Sequence, residues 1–159
     1  MGYTHYWKSE NLNEKKFKQA IKSMRLVLKQ QKDILEIPKK RSSDSLSFNG
    51  IEEDGHEDFF LALNLNFNFC KTARKPYDIA VVACLCILEH FCPDAGVSSD
   101  GHPDEWLDGL QLAREATGLE AITLPKKVLG LDMFYDWFQA QYKADRVLEK
   151  ALSERCMSL

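Results

Sequence analysis

The sequence predicts an α+β fold, a single domain in which an antiparallel sheet of about four strands is packed by helices and C-terminal helices complete the core. Three observations predict it. Leu61, Leu63, Leu65, Phe67 and Phe69 alternate with Ala62, Asn64, Asn66 and Asn68, the period of a strand with one buried face. Residues 79–88 are an unbroken apolar run, as in a helix buried on nearly every side. Strand-like and helix-like blocks stand apart, without the regular βαβ alternation of a parallel sheet. A chain of 159 residues is long enough for one such domain with its own core.

Residues 3–8 are aromatic and β-prone, a first strand with Tyr3, His5 and Trp7 on one side and Thr4, Tyr6 and Lys8 on the other. Asn11 and Glu14 have capping-box spacing. Phe17, Ala20, Ile21, Met24, Val27 and Leu28 then recur at helical spacing, giving an amphipathic helix over 13–32 whose lysines solvate the opposite side. Residues 34–37 and 45–50 read as strands around a polar loop opened by Pro38. Asn49-Gly50 and Asp54-Gly55 are turn signals before a long strand at 59–69, with Phe67 and Phe69 on its buried face. Pro76 suits the first position of a helix over 76–91, and Asp78 favours the positive end of its dipole. A loop follows, then a helix over 103–117 opened by Pro103 and ended by Gly118, and a last helical region over 126–154.

A net charge of −3 and a pI of about 5.8 call for neither nucleic acid nor an anionic membrane as partner. The apolar run is shorter than the ~20 residues of a membrane span. Five cysteines, Cys70, Cys84, Cys86, Cys92 and Cys156, are an odd number, and the opening lacks the apolar region of a signal peptide. Both features point to the reducing cytoplasm. No CxxC or HxxxH spacing occurs, so no metal is expected. No Walker or glycine-rich nucleotide loop occurs either, so neither phosphoryl transfer nor a cofactor is expected.

The candidate site lies where the long strand meets the buried helix. Lys71, Arg74 and Lys75 precede a helix N-terminus, whose free N–H groups and partial positive charge suit an anion. Thr72 and Tyr77 belong to the same joint. Tyr6 or Trp7 would flank an uncharged ring, His5 and Asn49 would supply directional hydrogen bonds, and Ser99 and Asp100 would close one wall. This reading gives an anionic, nucleotide-like small molecule as ligand. A second reading makes Cys70, with His5 or His56 and Asp100, the centre of a cysteine-dependent hydrolase or transferase, its thiol pKa lowered by the cations and the helix end.

Gly-Tyr-Thr-His-Tyr-Trp at residues 2–7, Asn49-Gly50 with Gly55-His56-Glu57, Phe69-Cys70-Lys71-Thr72-Ala73 with Pro76-Tyr77-Asp78, and Ser98-Ser99-Asp100-Gly101 together resemble a group of small uncharacterised proteins of bacteriophages and bacteria. The resemblance spans residues 2–106 and implies a phage or bacterial protein, in the host cytoplasm if phage-encoded. It carries no catalytic residues across. A third reading therefore stands beside the other two: a module that binds a host protein through an exposed apolar or aromatic patch, with no small-molecule site.

Overall fold

Two antiparallel three-stranded sheets stand where the sequence predicts one sheet of about four strands. In a computed structural model of the protein, residues 2–130 are described. Their elements are β1 (Thr4–Trp7), α1 (Glu14–Gln30), β2 (Leu35–Glu36), β3 (Ser45–Gly50), β4 (Phe59–Ala62), β5 (Asn68–Lys71), α2 (Asp78–Phe91), β6 (Ser98–Ser99) and α3 (Leu107–Thr117), with 3-10 turns at Glu52–Asp54, Pro93–Ala95 and Pro103–Trp106. This is the α+β class that the separate strand and helix blocks predict. The helix expected over 126–154 lies outside the described residues, apart from a turn at 126–130. Among the described residues no helix is long and apolar enough to cross a membrane.

One sheet has the order β5-β1-β6 and the other β2-β3-β4. β1 is central in the first, so His5 lies opposite Cys70 on one side and Ser99 on the other, and Tyr6 lies opposite Phe69 and Ser98. β6 falls within a stretch that reads as loop, because two serines carry no hydrophobic alternation.

The predicted strand over 59–69 is broken, and Ser9 accounts for the break. Buried Ser9 donates its hydroxyl to Ala62 O at 2.5 Å and its N–H to Leu65 O at 3.0 Å, and accepts from Leu65 N at 3.2 Å and, at its carbonyl, from Asn64 N at 3.0 Å. Asn64 adopts a left-handed φ of 65°, a conformation that Asn tolerates better than most residues. The chain thus leaves β4, where Phe59 and Leu61 point inward, and re-enters as β5 with the opposite phase. Asn68 and Cys70 turn inward, whereas Phe67 and Phe69 are 64% and 54% exposed. The predicted burial of these two phenylalanines is overturned: a side-chain period of two cannot survive a turn that resets its phase.

The helices follow their sequence signals. Asn13, rather than Asn11, caps α1, its side chain accepting from Lys16 N at 2.9 Å. The predicted apolar face of α1 is the buried one, and residues 80–88 of α2 are all buried. α1, α2 and α3 pack on one another. At Gly109 a Cβ would come within 2.3 Å of Val82 Cγ1, so a missing side chain sets the approach of α3 to α2. Gly118 closes α3 at a left-handed φ of 72°.

Candidate functional site

The alternation of β1 sends His5 into the interior, where it is fully buried. Its Nδ1 lies 2.8 Å from Ser99 Oγ and its Nε2 lies 2.7 Å from Asp78 Oδ1. Thr72 Oγ1 donates to the same Asp78 oxygen at 2.5 Å. Ser99 Oγ also accepts from Gly101 N at 2.9 Å and from Trp106 Nε1 at 3.3 Å. A hydroxyl has one proton and two lone pairs. With both lone pairs taken by N–H groups, the Ser99 proton points at Nδ1, which leaves Nε2 as the N–H that donates to Asp78. The Asp78 carboxylate, which only accepts, likewise calls for an N–H at Nε2. Tyr3 and Trp106 enclose the ring edge-on at 4.9 and 5.2 Å.

Ser99, His5 and Asp78 have the order of a hydrolytic triad, but Ser99 is no free nucleophile, since the lone pairs that would attack are engaged. The relay instead joins β1, β6, the loop after β5 and the first turn of α2. Asp78 at the helix start was legible from its place there; its pairing with His5 was not.

The cations of the joint are also committed. The Arg74 guanidinium lies 4.1 Å from the Tyr3 ring centroid and pairs through Nε with Glu105 Oε1 at 3.1 Å. Burial, with Asp78 next in effect, pushes the Tyr3 hydroxyl up to about 12. Lys75 Nζ donates to Glu53 O at 3.0 Å. Ala73 and Arg74 both adopt left-handed φ, 51° and 57°, while Thr72 N and Ala73 N donate to Tyr3 O. The expected floor of an anion pocket is thus occupied by the protein's own carboxylate, Asp78, and its partners.

Cys70 departs from the reading that makes it a nucleophile. It is fully buried, its thiol faces Glu57 O at 3.5 Å, and burial pushes its pKa up to about 12 instead of down. Although His5 is its cross-strand neighbour, both nitrogens of that ring are already bonded, to Ser99 and Asp78 instead of the thiol. His56 Nδ1 is bonded to Lys71 O at 2.8 Å. Asn49 clamps the turn beside it, accepting from Gly50 N and His56 N and donating to His56 O and Asp58 Oδ1. Tyr77 is buried and donates to Glu57 O at 2.6 Å, and burial raises its pKa. Trp7 packs on Phe59 in the core at 5.0 Å and cannot flank a ligand. Among the described residues no group of three or more His, Cys, Asp or Glu is placed to hold a metal ion.

What the structure does bring together is the outer face of β5-β1-β6. Tyr6 stacks on Phe67 with centroids 6.0 Å apart, and Phe67 lies 6.0 Å from Phe69. Lys71, opposite Thr4, shares this face and runs along Gly2, where a Cβ would meet its Cε at 2.8 Å. Asp100 accepts from Tyr6 Oη at 3.2 Å and from Thr4 N at 3.1 Å. Tyr6, Lys71 and Asp100 are among the candidate residues of the sequence and share this face; Phe67 and Phe69 are not, because the unbroken alternation assigns them to the core. Compared with models of protein families, with curated proteins and with solved structures, the chain matches none.

Proposed function

We propose that the protein binds a ring-bearing anionic small molecule, nucleotide-like in chemistry, on the outer face of β5-β1-β6 rather than inside the joint beneath it. The observation that carries the reading is the ring cluster of Tyr6, Phe67 and Phe69, with two phenylalanines more than half exposed. Exposed aromatic rings grouped on a sheet are costly to hydrate and offer π-faces on which a base can stack. Lys71 at the edge supplies a cation for a phosphate or carboxylate, and Asp100 accepts from ring amino or sugar hydroxyl groups. The His5 relay beneath keeps β1 and β6 in fixed register, so the platform is rigid before the ligand arrives.

The experiment is a thermal-shift series with nucleosides, nucleotides and inorganic phosphate in parallel. Nucleotides are expected to raise the melting temperature more than either part alone. A ligand at about 100 times its Kd adds ~2.7 kcal/mol to stability. Phe69→Ala should remove the gain and leave the unliganded melt nearly unchanged. Nucleotides without effect, or a gain retained in both Phe69→Ala and Tyr6→Ala, would overturn the reading.

A further inference from the structure

α1 buries Phe17, Ala20, Ile21, Met24, Val27 and Leu28. Opposite them Lys15, Lys18, Lys22 and Lys29 are all exposed, at spacings that place them on one stripe of the helix. At ~1.5 Å per residue the stripe is about 21 Å long. With Glu14 and Gln19, its first three lysines line a shallow open groove. Lys18 pairs with Glu14 at 3.1 Å, whereas Lys15, Lys22 and Lys29 have no ion-pair partner among the described residues. Arg25 extends the basic surface sideways. Its guanidinium donates to Ser42 O and, at 3.2 Å, to Ser45 O, holding beside the helix the loop that carries Lys39, Lys40 and Arg41.

The net charge of the chain hides this surface. Residues 8–41 carry eleven Lys and Arg against four Asp and Glu, a net +7, and the remaining residues carry ten against twenty, a net −10. The acidic balance that speaks against a nucleic-acid partner therefore belongs to other parts of the chain. We propose that the exposed lysine stripe of α1, flanked by the loop at 38–41, binds the phosphate backbone of duplex nucleic acid without reading its sequence. The stripe has the features of a backbone contact, flexible point charges in a row with a glutamine beside them. Acidic protein partners fit less well, because protein interfaces are depleted in lysine and draw their affinity from buried aromatic and arginine anchors; this stripe has neither. Membrane binding by an amphipathic helix requires an apolar face free to insert, and that of α1 is committed to the core.

The test is fluorescence anisotropy of the full chain with a labelled mixed-sequence DNA duplex over a range of salt. Expected is binding whose log affinity falls linearly with log salt, with a slope of about −3 to −4 for the four lysines at ~−0.9 per phosphate neutralised. The triple variant Lys15→Gln, Lys18→Gln, Lys22→Gln, with helix content unchanged by circular dichroism, should lose ~tenfold or more in affinity at low salt. Lys127→Gln, an exposed lysine outside α1 and the loop at 38–41, should leave the affinity unchanged. Absence of binding at low salt, a slope near zero or an unaffected triple variant overturns the proposal. So does binding confined to a polyglutamate peptide, to phosphatidylserine vesicles or to a second copy of the chain. The nucleotide test above uses other residues, so either reading can fail alone.

Discussion

His5 Nε2 donates to Asp78 Oδ1 at 2.7 Å across 73 residues of chain, tying the first strand to the first turn of the buried helix. Because His5 is wholly buried, removing the ring leaves a cavity and takes one hydrogen bond each from the half-buried Asp78 carboxylate and Ser99 hydroxyl. A hydrogen bond is worth ~0.5–1.5 kcal/mol net, ~1.5–3 kcal/mol where one partner is charged, and the cavity adds to that. His5→Ala is therefore expected to lower unfolding free energy by ~3 kcal/mol or more in urea titrations. Asp78→Asn keeps an oxygen that can accept from Nε2 and Thr72, so it should cost clearly less than Asp78→Ala. Equal losses for the two Asp78 variants would show that the hydrogen bonds do not carry the effect.

The phase change between β4 and β5 makes a second prediction. Phe67→Ala should change stability by no more than ~0.5 kcal/mol, as for a surface position, whereas Phe59→Ala should cost ~3–5 kcal/mol. The same urea titrations decide it. A large loss for Phe67→Ala would restore the uninterrupted strand.

That pair of phenylalanines also marks how far the sequence could be read. The faces of β1 and α1 and the burial of α2 were legible, because each rests on a periodicity that continues through the whole element. Phe67 and Phe69 carry the same alternation, but the turn that inverts them is held by Ser9, more than 50 residues away, at 3.0 Å from Leu65 O. Local pattern contains no sign of so distant a hydrogen bond. The candidate site divides in the same way. Tyr6, Lys71 and Asp100 do lie on one face, while Asn49 and Tyr77 spend their polar groups on the fold's own hydrogen bonds and the Trp7 ring is buried in the core. Residue type shows what a side chain is able to do; only the three-dimensional arrangement shows which partner has already engaged it.

Alkaline pH gives a third prediction. Burial raises the Cys70 thiol from 9.0 to about 12, Cys92 to about 11, and the Tyr3 hydroxyl from 10.0 to about 12. Each is an acid whose neutral form the folded state favours. Its contribution to stability is complete below the unfolded value and is lost as pH rises through the folded one. Stability should therefore be flat with respect to these groups up to pH 9 and decline between about 9 and 12. Denaturation midpoints across that window check the sign; a midpoint that rises would contradict it. In the native protein at pH 8, iodoacetamide should modify Cys70 no faster than Cys84 or Cys86, which mass spectrometry of the alkylated peptides can measure.

The approach of α3 to α2 leads to a fourth. A Cβ at Gly109 would lie 2.3 Å from Val82 Cγ1 and 2.7 Å from Val82 Cβ, closer than real Cβ contacts come, and a tight 3.2 Å from Ala83 N. Gly109→Ala would ordinarily favour a helix by ~1 kcal/mol. Here the overlap dominates, and overpacking costs ~1–3 kcal/mol. The expected net result is destabilisation, and Val82→Ala, which removes the nearest atom but keeps the Cβ at 2.7 Å, should cost less in the Gly109→Ala background than in the native one. Thermal melts of both single variants and the double measure that coupling, and strictly additive losses would place the strain elsewhere.

The turn at Ala73 and Arg74 supplies the last. Two consecutive residues with side chains sit in the left-handed region, at φ 51° and 57°, where glycine alone is free of a Cβ penalty. For Arg74 the compensation is visible in its contact with the Tyr3 ring and its pairing with Glu105. Ala73 donates its N–H to Tyr3 O at 3.3 Å, a backbone bond that a glycine would keep. Ala73→Gly should therefore relieve strain of ~1 kcal/mol and recover part of it as stability, the remainder being lost to the greater freedom of glycine in the unfolded chain. Arg74→Gly also relieves strain but gives up the cation–π contact, worth ~0.5–1 kcal/mol at exposed sites, and an exposed ion pair of little value. The first substitution is expected to raise the urea midpoint and the second to leave it near its starting value. A lower midpoint for Ala73→Gly would mean that the left-handed backbone there is not strained.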